Sequence, residues 1–541
     1  MTLTRSSAAR GLLLDGLKAF SVLSRALFAW FLLTAQLFAA DWLTFGHDPQ
    51  RTGWAVNEVT LTPQNVNGLE LKWGVQLKNE PLSLNALTTP IVATEVTTPQ
   101  GIKTLVYLAG SSNQFYALDS KDGELVWSMA FETHVLAKDE GFYLCPNAIN
   151  ATPTIDRTRN IVYSIAADGM LYGLDLGTGK VKFGPVQFVP AFSKNWSLNL
   201  VDGTIYTSIS QGCGGALSGV YSMEITDPTH PVTRVLFLRK RYGAGVWGRG
   251  GPVVGKNRAI YCATGDGPFD PSVGDFGSSF VAASLSDLKL LDYYTPTNWR
   301  EITKYDLDIS SAGQVWFAYR NYNLLAGGGK EGVVYLLNAD SLGGKDHHTP
   351  LFTTPLLAND QKALEQEGIW GAPSVWSDGD GQTWLYVPIW GSISKNAPKF
   401  PRTNGPTPHG CIMAFKVKLD PVSKEPTLEP AWISPDFNVP DPIVIANGIV
   451  LALSTGENPQ QNREGAHDKD WKKNLLTTAE RSANTRPAVL YALDAKTGSP
   501  LYQSGSAMSG WVHFSGLAVA NGRIYAVDHD SKVYCFGLKG N

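Results

Sequence analysis

One pattern recurs along this chain, as FYALDSKDGELVW at Phe115–Trp127, LYGLDLGTGKVKF at Leu171–Phe183 and LYALDAKTGSPLY at Leu490–Tyr502. Weaker copies begin at Val220, Phe280, Val334, Cys411 and Lys532, which brings the count to eight. A unit repeated at such a period cannot bury its apolar face alone and must stack on its neighbours, so the chain is read as a repeat architecture. Equivalent positions lie 43 to 60 residues apart, except for two steps of 78 that mark insertions near Lys395–Pro408 and Asn458–Arg486. Upstream of most copies stands a second element, such as TTPIV at Thr88, ATPTI at Ala151 or GPVV at Gly251, followed by a turn and an alternating strand such as LVYLAG or IVYSIA. Four short strands per repeat, punctuated by turns, predict a propeller blade. Asp119, Asp175 and Asp494 sit where each motif turns into a DG or TG pair, and a turn role accounts for them.

The expected fold is therefore all-β, an eight-bladed β-propeller with four-stranded antiparallel blades. The last repeat reaches Asn541 with room for only three strands, and LELKW at Leu69–Trp73 resembles the missing outer one. The ring is expected to close through that N-terminal strand, which removes a free sheet edge. Composition agrees: 54 Gly, 32 Pro, 16 Trp, 20 Tyr and 22 Phe with only 17% charged residues describe a turn-rich β protein and exclude disordered or helical-bundle classes. A net charge of -3 without a Lys/Arg run lacks the footprint of a nucleic-acid binder.

Arg5, Arg10, Lys18 and Arg25 precede the apolar stretch Ala26–Leu37, and Ala39 and Ala40 follow it. That order reads as a secretory signal over residues 1–40, cleaved or kept as an anchor, with 41–541 as a single domain. The run falls short of the roughly 20 residues of a bilayer span, so no membrane span is expected after signal removal. The localisation expected is periplasmic or secreted. Removing residues 1–40 leaves 41 basic and 47 acidic residues. Of the five Cys, Cys145 and Cys213 sit at similar loop positions in adjacent repeats and are either a disulfide or two buried thiols. Cys262, Cys411 and Cys535 read as strand core. The pair His347 and His348 has no Cys beside it and reads as an exposed loop, with metal binding as the alternative.

The repeats, with their aromatic-Ala-Leu-Asp-x-x-Thr-Gly-x-x-x-Trp core and the opening DWLTFGHDPQRTG, resemble the quinoprotein, or pyrroloquinoline quinone (PQQ) repeat, propeller family over about residues 41–541. That family includes periplasmic PQQ-dependent alcohol dehydrogenases and non-catalytic barrel-assembly scaffold propellers. The chemistry can be stated without the name. A planar tricarboxylate quinone that oxidises an alcohol needs aromatic or sulfur faces, cations for its carboxylates, a Lewis-acid metal and a carboxylate base.

YCATGDGPFDPSVGDFGSSFVAASL, from Tyr261, looks like the blade that ligates the metal and stacks the quinone; the resemblance puts Asp266 at the metal position and Phe269 at the stacking position, with a Gly-rich blade loop as the alternative. TPTNWREITKYDLDISSAGQVWF, from Thr295, implies Asp306 as catalytic base and Asp308 as the additional carboxylate of lanthanide-using members, against the alternative of a solvated turn. Two residues apart on a strand, these carboxylates are expected to project to the same side. The resemblance also implies Lys330 as a contact to the quinone oxygens, or else an exposed turn lysine, and Trp370 as a cofactor wall, or else blade packing.

The departures are specific. No adjacent cysteines occur, SISQGCGGALSG around Cys213 replaces the expected metal-ligating Glu, and there is no CxxCH for a c-type haem. Two readings follow. The first is an exported binding or scaffold protein with a divergent quinone-type pocket, taking a small-molecule ligand or a protein partner at the channel end. The second is a PQQ- and metal-dependent alcohol or aldehyde dehydrogenase using calcium or a lanthanide.

Overall fold

The structure is a computed structural model, and it describes residues 40–540 apart from 139–140, 142–143, 211, 363–365, 461–462 and 464–475. The leader read over residues 1–40 thus falls outside the described residues except for Ala40. Among the described residues, no helix is long and apolar enough to cross a membrane.

Among the described residues, eight sheets, each built on four antiparallel strands, follow one another along the chain, beside one two-stranded hairpin. Blade 1 is Ile91–Thr98, Gly101–Gly110, Gln114–Asp119 and Leu125–Ala130, and this order of four strands recurs. The third strand of every blade is one of the eight motif copies, from Gln114–Asp119 through Lys532–Leu538. Blade 8 takes its outer strand, Leu69–Gln76, from the amino side, paired antiparallel to Lys532–Leu538 with Leu69 opposite Leu538. The expected closure is therefore present and extends three residues beyond Trp73.

Burial explains why these strands read as apolar runs. The inner strands and those next to them pack against neighbouring blades on both faces, as in Leu105–Ala109 and Thr383–Trp390, all buried. Outer strands such as Leu125–Ala130 face solvent and lose that continuity. Neighbouring blades are locked by the turn that the motif encodes. Asp175 Oδ1 accepts from Thr178 N and Oγ1, which holds the turn. Gly179 then sits at φ +68 with Trp127 of blade 1 against it, so that a Cβ there would lie 2.5 Å from the indole. Trp127 Nε1 completes the joint by donating to Leu176 O at 2.9 Å. The same joint forms where the ring closes, between Trp73 Nε1 and Ser120 O at 3.0 Å.

The segment Trp42–Gly53 runs round the inside of the ring and meets the blades in order. Val92 N donates to Trp42 O, Ile155 N to Leu43 O, Val254 N to Pro49 O, Trp316 N to Gln50 O, Val375 N to Thr52 O and Ile445 N to Gly53 O, all at 2.8–3.1 Å. The opening DWLTFGHDPQRTG is thus a channel lining. Arg51 anchors it, buried and donating to Thr44 Oγ1, Phe45 O and Leu198 O.

Both insertions lie at second-to-third-strand loops. The first contributes Arg402–Thr403, which pairs parallel to Trp432–Ile433; the second contains the helix Thr478–Ala483, with much of the remainder outside the described residues. Cys145 and Cys213 are disulfide-bonded, with Cα atoms 5.3 Å apart, whereas Cys262, Cys411 and Cys535 are buried free thiols. His347 and His348 differ from the expected exposed loop: both are half-buried, and His347 stacks on Tyr293 with ring centroids 4.1 Å apart.

Candidate functional site

In an antiparallel blade, the loop between the second and third strands leaves at the same end as the link to the next blade. Asp266 follows the second strand of blade 4, Ala259–Ala263; Asp306 and Asp308 lie on the link from blade 4 to blade 5; Lys330 follows the second strand of blade 5, Tyr322–Gly328. All four therefore emerge at one end of the channel. One carboxylate oxygen from each of Asp266, Asp306 and Asp308 lies within 4.8 Å of the others.

The two later carboxylates converge by a different route from the expected strand pleat. The helix Trp299–Lys304 ends with Leu307 N donating to Ile302 O at 3.0 Å and Asp306 N to Thr303 O at 3.4 Å. This is the hydrogen-bond pattern of a helix stop whose penultimate residue is left-handed, and Asp306 takes φ 54 where Gly is usual. Asp308 follows two residues on, buried, its Oδ1 accepting from Asp266 N at 2.8 Å and its Oδ2 2.7 Å from Lys330 Nζ. Lys330 Nζ also lies 3.2 Å from Asp306 Oδ1. Lys330 is buried, which removes the alternative of an exposed turn lysine.

Burial, then the neighbouring Asp308, pushes the Asp266 carboxyl up to about 6. Burial also raises Asp306 well above the usual carboxylate range, with Lys330 pulling the other way and Asp308 and Asp266 adding to the rise. For Lys330, the cost of burial is outweighed by Asp306 and Asp308, and the ammonium titrates above its ordinary value. Asp306 keeps 45% of its side-chain surface exposed and Asp266 is half-buried, whereas Asp308 is buried.

Trp370 joins this group, with Lys330 Nζ 5.2 Å from its ring centroid. It is also packing, because it stacks on Trp390 at 5.0 Å and 11°. Phe514 stacks on both, which makes a wall of three nearly parallel rings. Phe269 does not stand in that wall. The short hairpin Phe269–Asp270 and Asp275–Phe276 carries its ring onto Tyr293, Trp299 and His348, at 5.8–6.0 Å. Phe269 thus packs where blade 4 meets the link to blade 5 and the His348 loop of blade 5.

Sequence reasoning passed over several residues at this end. Trp247 stands beside the acidic cluster: a Cβ on Gly265 would lie 2.1 Å from Asp308 Oδ1 and 2.9 Å from Trp247 Cδ1 and Nε1, so only glycine lets the two approach. Lys194 Nζ is 5.7 Å from the Trp247 ring centroid. Arg249 lies over Trp196 and Phe514. Glu457 is buried between Arg481 and His513, whose Nδ1 is 2.8 Å from Glu457 Oε1. A signal was present, because GVWGRGGPVV, GIWGAPSVW and WVHFSGLAV each set an aromatic or His just ahead of the recurrent first-strand element.

The comparisons with known proteins agree with this architecture. Residues 42–205 match the PQQ family described as the beta-propeller domain of glucose/ethanol/alcohol dehydrogenase, a match that stops short of the acidic cluster. No curated protein matches the chain in sequence. Among solved structures, a quinohemoprotein alcohol dehydrogenase from Pseudomonas putida HK5 is similar at 14% identity and TM-score 0.55, covering 93% of this chain and 81% of that one. Another, from Comamonas testosteroni, is similar at 15% identity and TM-score 0.55, with the same coverage. A europium-containing methanol dehydrogenase is similar at 12% identity and TM-score 0.56, covering 92% of this chain and 98% of that one. At these identities the likeness is one of fold. The resemblance drawn from the repeats holds: the chain is an eight-bladed propeller, matched by that family model in sequence over residues 42–205 and similar to quinoprotein dehydrogenases in fold over most of its length.

Proposed function

We propose that this protein is an exported, metal-dependent quinoprotein dehydrogenase acting on an alcohol or aldehyde. The observation that carries the reading is the convergence of Asp266, Asp306 and Asp308 with Lys330 at one channel end. It favours the enzyme over the scaffold, because a scaffold has no need of three carboxylates at such close range. Three like charges against one ammonium leave an excess of two, a costly arrangement that a hard cation of charge two or three relieves. The residues thus fit calcium or a lanthanide with oxygen ligands. The aromatic wall and the Trp247 indole fit a flat ring system and supply the faces that no adjacent cysteines provide here.

On this reading Asp266 and Asp308 hold the metal, and Lys330 donates to a quinone oxygen while holding Asp308 in place. A bound quinone would supply the two-electron acceptor that no side chain offers. Asp306 takes the substrate hydroxyl proton. Its raised affinity for protons suits a base, and its exposed surface lets a small alcohol reach it. Export is supported by the leader read over residues 1–40 and by the Cys145–Cys213 disulfide, which suits an oxidising compartment.

The test is titration of the purified chain with PQQ in calcium and separately in a lanthanide, followed by quinone absorbance and a dye-linked alcohol assay. Metal-dependent binding with turnover is expected, and Asp306→Ala should abolish turnover while cofactor stays bound. Absence of binding under either metal, or unchanged turnover in the variant, would sink the reading.

A further inference from the structure

Lys194 stands on Lys194–Asn195, half of the divided inner strand of blade 3. Its residue is only 7% exposed, yet among the described residues its ammonium makes neither hydrogen bond nor ion pair. It lies instead against two indoles, 5.6 Å from the centroid of Trp196 and 5.7 Å from that of Trp247. The indole N–H of Trp196 is satisfied by Ser210 Oγ at 3.2 Å, but that of Trp247 is buried without a partner among the described residues. Two unmet donors therefore flank one ring, the ammonium over its face and Nε1 at its edge beside Gly245 and Gly265.

The charges around Lys194 make matters worse for the empty pocket. The group that acts on it is another cation, Arg249, and burial together with Arg249 brings Lys194 down to about 7. His513 is within electrostatic reach of it, while Asp441 and Glu457 act on Arg249. A buried cation with a like charge for company and a second orphan donor at hand lacks one thing, an anion with acceptor oxygens. A neutral acceptor would take a hydrogen bond but leave the buried charge uncompensated.

We propose that Lys194 and Trp247 form a carboxylate-binding subsite beside the acidic cluster, so that this pocket takes a flat-ringed ligand bearing a carboxylate. The subsite does not depend on a metal at Asp266, Asp306 and Asp308. The carboxylate belongs either to a bound cofactor or to a substrate molecule, and the same experiment separates the two.

Benzoate and its uncharged analogue benzamide are titrated by calorimetry into the full chain in EDTA, so that failure of the metal reading cannot mask the result. Benzoate is expected to bind at least about tenfold more tightly than benzamide, the scale of a charge-assisted hydrogen bond. Because Lys194 loses its proton near neutrality, binding at pH 8.5 should take up close to one proton, and at pH 6 almost none, as read from buffers of different ionisation enthalpy. Lys194→Met should abolish both the preference and the uptake. It should also raise the melting temperature of the unliganded chain, since it removes an unpaired buried charge; a structural lysine would lower it. Trp247→Phe, which deletes only Nε1, should weaken benzoate several-fold. Displacement of benzoate by PQQ assigns the carboxylate to a cofactor, and simultaneous binding assigns it to a substrate. Equal affinity for benzoate and benzamide, no detectable benzoate binding, or no proton uptake at pH 8.5 would overturn the proposal.

Discussion

Lys330 Nζ lies 2.7 Å from Asp308 Oδ2, and both side chains are buried. Asp308 is supported besides by the Asp266 backbone, so Lys330 is what neutralises it. Lys330→Met should cost about 3 kcal/mol, the scale of a buried charge stripped of its partner. The double variant with Asp308→Asn should recover most of that loss. Urea unfolding of the four proteins of the cycle gives the coupling directly.

Gly265 is where the acidic cluster and Trp247 meet. Gly265→Ala would place a methyl 2.1 Å from Asp308 Oδ1. Asp308 must then shift and loosen its hold on Asp266 N and Lys330. Stability should fall by about 1–3 kcal/mol. Terbium luminescence sensitised by the nearby tryptophans should detect ion binding in the parent protein and lose it in the variant.

Asp441 is buried, with Oδ2 accepting from Gly516 N at 2.7 Å. Burial pushes its carboxyl up to about 7, and Glu457 is raised likewise. The folded chain keeps protons on these groups that the unfolded chain releases from about pH 4 upward, so stability from this source is present at low pH and lost as pH rises towards 7. Asp441→Asn should therefore stabilise the protein by about 4 kcal/mol at pH 8 and by almost nothing at pH 4. Melting curves across that range would show it, and a constant offset would contradict it.

The Trp127 indole fills the space over Gly179, and a Cβ there would meet it at 2.5 Å with the backbone already at φ +68. Gly179→Ala thus combines backbone strain with a clash at the joint of blades 1 and 2. A loss of about 2–4 kcal/mol is expected. The readout is the midpoint of unfolding, with fluorescence of Trp127 reporting the joint.

The disulfide closes a span of 68 residues between Cys145 and Cys213. Replacing both by Ser should destabilise by about 4 kcal/mol on chain-entropy grounds. Melting with and without reductant should differ in the parent and coincide in the variant.

What was legible beforehand was local. The third strand of each blade was visible because an aromatic-Ala-Leu-Asp run needs only its own neighbours to become a buried strand and a turn, as in Leu490–Asp494. Leu69–Trp73 could be matched to an outer strand because it shares the pattern of Glu124–Trp127. Asp266, Asp306, Asp308 and Lys330 were named by resemblance, but the way they meet was not. The helix stop at Asp306 replaced the pleat expected there, because Leu307 N and Asp306 N close on the preceding helical turn. The surroundings of Phe269 were not legible either, since nothing in its own loop shows that Tyr293, Trp299 and His348 will gather round it.

By itself, then, the chain's order of residues determined the number of blades, the strand that opens and closes the ring, and the turns that join neighbours, since each depends on alternation and turn chemistry over a few residues. Tertiary structure decided the contents of the channel end. Lys194, Trp247 and Asp308 come from different blades and links and meet only once the ring is closed. Whether a lysine is buried without an anion is a property of what surrounds it in space, and no spacing along the chain carries that information.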